Sequence, residues 1–203
     1  MLDRRVRLST VEALSVPADA IMVEDNGWLS GLRGLAATVD GLDAGLRRRR
    51  EEALARHGGP VALGTAIGFR LESATHPFRH AIWAITFSQV PQSENQPERL
   101  ERATPLDVAA TTRSALLEAE SLGIKHLVMP AIGTRTDQHV LPPVPKKLPR
   151  YVMGAAQLIA LQQTLDETGI EQVTLSLSLR DHAIFHDLLG LPPATVLEET
   201  TDE

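Results

Sequence analysis

Short apolar runs alternate with longer segments of helical periodicity along the 203-residue chain. Runs rich in Val, Ile, Leu and Ala, bounded by Gly, Pro or polar residues, predict strands at 5–9, 19–24, 61–69, 80–87, 124–129 and 170–179. Apolar residues at helical spacing predict helices at 35–57, 105–122, 151–169 and 181–190. The run of four arginines at 47–50 is predicted to lie on the exposed part of the first helix. Because strands alternate with helices, the pattern predicts an α/β fold with a mixed, mostly parallel sheet and helices on both faces.

Local signals set the predicted boundaries. The segment SQVPQSENQPERLERATP, residues 88–105, predicts a polar loop. At its end, Thr104 and Pro105 have the residue types of a helix cap and a first turn. The segment LPPVPKKLPR, residues 141–150, is too rich in proline for a helix or a sheet and predicts a stiff surface excursion. The acidic residues after Gly190 predict a tail. We therefore expect one domain over residues 1–189 and an acidic C-terminal tail over 190–203.

Composition and charge exclude several classes of protein. The chain has no cysteine, which excludes disulfides and thiolate zinc sites. The formal net charge of −6 argues against non-specific nucleic-acid binding, and we expect no direct sequence-specific nucleic-acid binding. No stretch resembles a signal peptide or a membrane span, which predicts a cytoplasmic protein with no membrane partner. His182 and His186 have the i, i+4 spacing of a zinc pair but lack an evident third ligand, so no metal site is predicted.

Two loops follow predicted strands and are rich in small residues. In the first, Asn26 ends a strand, and Gly31 and Gly34 follow it. The second, beginning at Ala131, contains Gly133 and Thr134. Glycine allows close approach of the backbone to a ligand, and ligands of parallel sheets lie beyond the carboxyl ends of strands. The two loops together therefore predict an anion site formed by backbone amides.

The order of these segments resembles that of a macrodomain, the ADP-ribose-binding α/β/α module. The segment GIKHLVMPAIGT is close to the strand and loop that in the family surround the diphosphate and distal ribose. The segment VEALSVPADAIMVEDN resembles the family's opening, and SGLRGLAA resembles its glycine-rich segment. The resemblance implies a divergent macrodomain-like fold of three α/β/α layers.

The resemblance also implies a ligand, ADP-ribose or an ADP-ribosylated macromolecule, with no cofactor. It places Glu12 at the position of the residue that binds adenine, and Asn26 at that of the residue that holds the distal ribose. The residues whose backbone or side chains would contact the diphosphate are Gly31, Gly34, Ala131, Gly133, Thr134 and Arg135, and Arg150 is a further cation for this contact. Asn26 has a second interpretation, in which it only bonds the backbone of its own loop. Trp28 and Trp83 are predicted packing residues, although Trp28 can also cover a ribose or adenine face.

Departures from the family pattern leave the activity open. Glu24 and Asp25 introduce two carboxylates before Asn26, beside a site for an anion. Ala36 stands where many hydrolytic macrodomains carry Asp, and Asp40 lies one helical turn further on. Asn26, Asp25 and Asp40 are therefore the candidate catalytic residues, with the carboxylates positioning a water. The alternatives are an ADP-ribosyl hydrolase, a binding protein, and a degenerate macrodomain that acts as a protein-interaction module through residues 141–149.

Overall fold

A seven-stranded sheet forms the middle layer of the protein in its computed structural model, which describes residues 3–31, 34–72, 76–90, 99–134 and 148–191. The strands are β1 (Val6–Ser9), β2 (Ala20–Asn26), β3 (Ala66–Arg70), β4 (His80–Val90), β5 (Arg99–Arg102), β6 (His126–Pro130) and β7 (Gln172–Ser176). The helices are α1 (Gly34–Asp40), α2 (Leu46–His57), α3 (Pro105–Ser121), α4 (Leu148–Leu165) and α5 (Leu179–Leu188), and a short 3-10 turn spans Ala13–Ser15. Arg135, most of the proline-rich segment and the tail from residue 192 lie outside the described residues.

The sheet is mixed and mostly parallel, as the sequence predicts. Its strand order is β1-β7-β6-β2-β4-β3, and β5 pairs with the C-terminal half of β4. The pairs β1–β7, β7–β6, β6–β2 and β2–β4 are parallel. Strands β3 and β5 run antiparallel to β4.

Two apolar layers cover opposite faces of this sheet. One contains Met22 with the buried residues of α3, α4 and α5, such as Leu116, Leu161 and Phe185. The other contains Val23 and Trp83 with the buried residues of α1 and α2. Successive residues of a strand point to opposite faces, so β2 supplies both layers. The three-layer α/β/α prediction is confirmed.

The prediction of one continuous helix over residues 35–57 is wrong. The helix ends at Asp40 and a new helix begins at Leu46. Between them, the buried carboxylate of Asp43 accepts hydrogen bonds from the backbone N–H of Gly45 at 2.8 Å and of Glu72 at 2.7 Å, and it forms an ion pair with Arg49. This carboxylate therefore links the turn between the two short helices to α2 through Arg49 and to Glu72, two residues after β3.

Other boundaries move because of local capping and pairing. Ser178 accepts from the N–H of Asp181 and starts α5, so the final strand ends at Ser176 and not at residue 179. Strand β5 lies inside the segment predicted as a polar loop. The start of α3 is as predicted, with reciprocal bonds between Thr104 and Asp107. None of the helices within the described ranges has the length and apolarity needed to cross a membrane.

We expect Asp43→Ala to lower the free energy of unfolding by about 2–3 kcal/mol, because two backbone amides and Arg49 lose their buried acceptor. Chemical denaturation measures this loss. The matched control is Glu51→Ala on the exposed face of α2, whose i, i+4 pair with Arg47 contributes less than about 0.5 kcal/mol.

The contribution of Asp43 also depends on pH. Burial raises the pKa of Asp43, but the amides of Glu72 and Gly45 and the Arg49 guanidinium together lower it below its ordinary value. A depressed folded-state pKa stabilises the protein above the unfolded-state pKa of about 3.9, and this stabilisation is lost as the pH falls through the folded-state pKa. The stability gap between the wild type and Asp43→Asn should therefore narrow below about pH 4. A gap that stays constant from pH 7 to pH 3 would contradict this role.

Candidate functional site

The two small-residue loops leave the sheet at the same edge. Strands β2 and β6 are neighbours and parallel, with Ala20 paired to Leu127 and Ile21 paired to Val128. The loop 27–31 follows β2, and the loop that begins at Ala131 follows β6. The two loops are therefore adjacent at the carboxyl ends of neighbouring strands, where open α/β sheets bind their ligands.

The side chain of Asn26 forms two hydrogen bonds with the first loop. Its side-chain oxygen accepts from the N–H of Trp28 at 2.8 Å, and its amide nitrogen donates to the hydroxyl of Ser30 at 2.9 Å. The residue is 4% exposed. This is the loop-pinning geometry that asparagine adopts in turns, and it occupies both polar atoms of the side chain.

Asp25 anchors the same loop to the sheet. One carboxylate oxygen accepts from the N–H of Asn26 at 2.8 Å and the hydroxyl of Ser30 at 3.1 Å. The other accepts from the N–H of Gly31 at 2.7 Å and the indole N–H of Trp83 at 2.8 Å. An ionised carboxylate accepts about four hydrogen bonds. The side chain of Asp25 therefore has a complete set of donors in the protein itself.

Arg50 lies beneath this loop and completes its support. Its guanidinium is 3% exposed, forms an ion pair with Asp40 and donates to the carbonyl oxygen of Leu29. The guanidinium carbon lies 5.2 Å from the centre of the Trp83 ring, within cation–π range. The sequence prediction placed Arg50 on the exposed part of a helix, which is wrong. The signal was present, because Arg50 lies four residues after the buried Leu46.

The conformation of the loop depends on these contacts. Leu29 has a positive φ of 50°, uncommon for a residue with a side chain, and Arg50 binds its carbonyl oxygen. Gly31 has a φ of 61°, and a Cβ atom there would lie 2.7–2.9 Å from the Arg50 guanidinium. Glycine at position 31 thus leaves the space that the buried cation occupies.

Glu24 holds the second loop. Its carboxylate accepts from the N–H of Gly133 at 2.8 Å. The same loop is held from α4, since Gln157 accepts from the N–H of Ile132 at 3.0 Å and donates to the carbonyl oxygen of Pro130 at 2.9 Å. Glu24 and Asp25 are successive strand residues and point to opposite faces of the sheet. One strand end therefore fixes both loops, each through a carboxylate and a glycine N–H.

The remaining predicted site residues are distributed around this edge. Glu12 is exposed and precedes the 3-10 turn that follows β1. Gly34 starts α1 with a φ of 57°. Ala131 and Thr134 are buried in the second loop. Arg150 forms a buried ion pair with Asp181 and does not have the free guanidinium that a diphosphate contact would need.

The two tryptophans differ in solvent exposure. Trp83 is fully buried, as predicted for a packing residue. Trp28 is 42% exposed, so the packing prediction is wrong for this residue, and its indole presents an aromatic surface at the first loop. The described part of the chain holds no group of three or more His, Asp or Glu side chains arranged for a metal ion.

Solved macrodomain structures share this architecture. The Oceanobacillus iheyensis macrodomain with ADP is 19% identical, covers 90% of this chain and 88% of its own, and superposes with a TM-score of 0.68. A mutant of that macrodomain with ADPR is 19% identical; the match covers 91% of this chain and 90% of the mutant's chain, with a TM-score of 0.66. The macrodomain of Mycobacterium tuberculosis DarG is 14% identical; the match covers 84% of this chain and 96% of the DarG chain, with a TM-score of 0.57. No family model and no curated protein matches the sequence. The chain has the macrodomain fold.

We expect Gly31→Ala to destabilise the protein by about 2–3 kcal/mol, because the methyl group would displace Arg50 and strain a positive φ. The control is Gly58→Ala, which has a φ of 80° and nothing within 4 Å of the added carbon, so it should lose only about 1 kcal/mol. Equal losses in the two variants, measured by chemical denaturation, would show that the contact with Arg50 does not constrain the loop.

Proposed function

We propose that the chain binds ADP-ribose or a related nucleotide at the sheet edge between loop 27–31 and the loop beginning at Ala131. The observation that carries the proposal is the adjacency of two glycine-containing loops at the carboxyl ends of the neighbouring parallel strands β2 and β6, in a macrodomain fold. Support comes from the Oceanobacillus iheyensis macrodomain, whose structures with ADP and with ADPR superpose on about nine-tenths of this chain.

The local charge sets the strength of this binding. Glu24, Asp25 and Asp40 are carboxylates and Arg50 is a cation, so these four of the described side chains together carry a net negative charge. A like charge about 8 Å from a phosphate costs about 0.5–2 kcal/mol, depending on the effective dielectric constant. The N–H groups of Gly31 and Gly133 are bonded to carboxylates and do not face the ligand. We therefore expect weak binding, in which the ligand uses other groups of the two loops, including the exposed indole of Trp28.

The proposed activity is binding without hydrolysis. Asp25 already accepts four hydrogen bonds, and Asp40 is paired with Arg50. Both polar atoms of the Asn26 side chain bond its own loop. A carboxylate that positions an attacking water needs an acceptor atom directed at that water. Asp25 and Asn26 direct their acceptor atoms at the protein, and Asp40 directs one oxygen at Arg50. We propose an ADP-ribosyl group on a macromolecule as the physiological form of the ligand, retained and not released.

A protein-interaction module is the second candidate. It is favoured by the same two bonds, because Glu24 and Asp25 occupy the amides that a phosphate would otherwise use. Calorimetric titration with ADP-ribose separates the two functions. Saturable heat supports the nucleotide proposal, and its absence at millimolar ligand leaves the interaction module.

Two substitutions of Glu24 test the binding site. Glu24→Gln keeps an oxygen acceptor for the Gly133 N–H and removes the charge, so ADP-ribose should bind about fivefold more tightly. Glu24→Ala removes the acceptor as well, so the second loop loses its anchor and binding should weaken relative to Glu24→Gln. Calorimetry measures both affinities.

The control for net charge is Glu171→Gln. Glu171 is exposed and lies just before β7, at the opposite end of the sheet, so this substitution should leave the affinity for ADP-ribose unchanged. Equal tightening in Glu24→Gln and Glu171→Gln would mean that overall charge, and not the site, governs binding. A Glu24→Ala protein that binds as tightly as Glu24→Gln would contradict the anchoring role.

A further inference from the structure

Two histidines of α5 have their imidazole rings in contact. His182 and His186 lie four residues apart in one helix, so they project from the same face of it. Their ring centres are 4.4 Å apart, and the ring planes are tilted by 35°. Both side chains are partly buried. The helix itself therefore brings two imidazoles together.

The backbone that carries the two histidines is fixed at both ends of α5. Ser178 accepts from the N–H of Asp181 at 3.1 Å where the helix begins. Beyond its end, the N–H of Leu191 donates to the carbonyl oxygen of His186 at 3.0 Å. Phe185, on the inner face of the helix, is fully buried in the core. Little backbone order therefore has to be gained when both imidazoles bind a common group.

The protonation state of His182 suits a ligand of a metal ion. Burial and the charge of the neighbouring His186 lower the pKa of His182 below its ordinary value of 6.5. The ring of His182 is therefore mostly neutral at pH 7, with a lone pair on one ring nitrogen. Each imidazole has two ring nitrogens, so one of them can bind an ion while the other bonds a second group.

The separation of the two rings is close to the separation that a shared ion requires. With metal–nitrogen bonds of about 2.0–2.1 Å and a nitrogen–metal–nitrogen angle of roughly 90–105°, two ring centres lie about 4.5–5 Å apart. The observed separation of 4.4 Å is just below this range. Small side-chain rotations are therefore enough to direct one nitrogen of each ring at a common ion.

The acidic neighbours of the pair are engaged with other side chains. Asp181 is buried and forms an ion pair with Arg150 at 2.9 Å. Asp187 accepts from the hydroxyl of Tyr151 at 2.7 Å. Within the described ranges, no third His, Asp or Glu joins the two histidines in an arrangement for a metal ion. The described residues therefore offer two nitrogen ligands, and water would complete the coordination of an ion.

We propose that His182 and His186 chelate one ion of a late first-row transition metal, such as Ni²⁺, Cu²⁺ or Zn²⁺. Imidazole nitrogen is a preferred ligand of these ions, whereas Mg²⁺ and Ca²⁺ prefer oxygen ligands. The sequence alone predicts no metal site here because it shows no third ligand. The contact between the two rings changes that conclusion, since a two-nitrogen chelate needs only this pair. The inference does not depend on the proposed nucleotide site.

Calorimetric titration of the full chain with nickel chloride tests the proposal. The wild type should bind one equivalent of Ni²⁺ at its tightest site, and His182→Gln should lower this affinity at least about tenfold, because one of the two nitrogen ligands is lost. The matched control is His57→Gln, which removes an exposed histidine from the last turn of α2 and should leave the affinity unchanged. Magnesium chloride should give no saturable heat. Equal Ni²⁺ affinities in the wild type and His182→Gln would overturn the assignment.

NMR spectra of the wild type with Zn²⁺ provide a second measurement that needs no variant. The ring signals of His182 and His186 should shift saturably and in parallel, the signals of His57 should stay in place, and EDTA should restore the original spectrum. A shift of only one of the two rings, or unchanged signals of both in excess Zn²⁺, would sink the proposal. Neither titration contains a nucleotide, so a failure here is distinguishable from a failure of the ADP-ribose proposal.

Discussion

The carboxylate of Asp25 is the interaction on which the candidate site depends. It is buried at the end of the central strand β2, and it bonds the first loop at two backbone N–H groups and at Ser30 while accepting from Trp83 of β4. Burial of a carboxylate is tolerated when hydrogen bonds offset the loss of water, and Asp25 accepts four of them. Arg50, which is paired with Asp40, supports the same loop by donating to the carbonyl oxygen of Leu29. Its approach in turn requires glycine at position 31.

Side chains alternate between the two faces of β2, and this alternation allows the same strand end to hold the second loop as well. Glu24 points to the other face of the sheet and bonds Gly133 there, so two successive residues fix two loops. An acidic pair that looks unsuited to an anion site is thus explained as a structural device. The carboxylates bond the loop amides of Gly31 and Gly133, so the proposed ligand would have to be recognised by other surfaces of the loops.

The sequence could predict the architecture because strand and helix patterns are local. The runs at β2, β4 and β6 and the helix at α3 are close to their predicted positions, and the strand–loop segment around Gly133 indicated the macrodomain fold. The predicted helix over 35–57 failed because Asp43 bonds Glu72, a partner 29 residues away. The role of Asp25 could not be predicted either, because its partner Trp83 lies 58 residues away from it in the sequence. Such pairings depend on side-chain positions that no local pattern specifies.

The central claim is that the two carboxylates of β2 hold both loops through the N–H groups of Gly31 and Gly133, and amide hydrogen exchange followed by NMR tests it most directly. We expect both amides to exchange on the order of a hundredfold more slowly than in an unstructured peptide. In Glu24→Ala, Gly133 should lose this protection while Gly31 keeps it. Exchange of both glycine amides at the unstructured rate in the wild-type protein would contradict the claim.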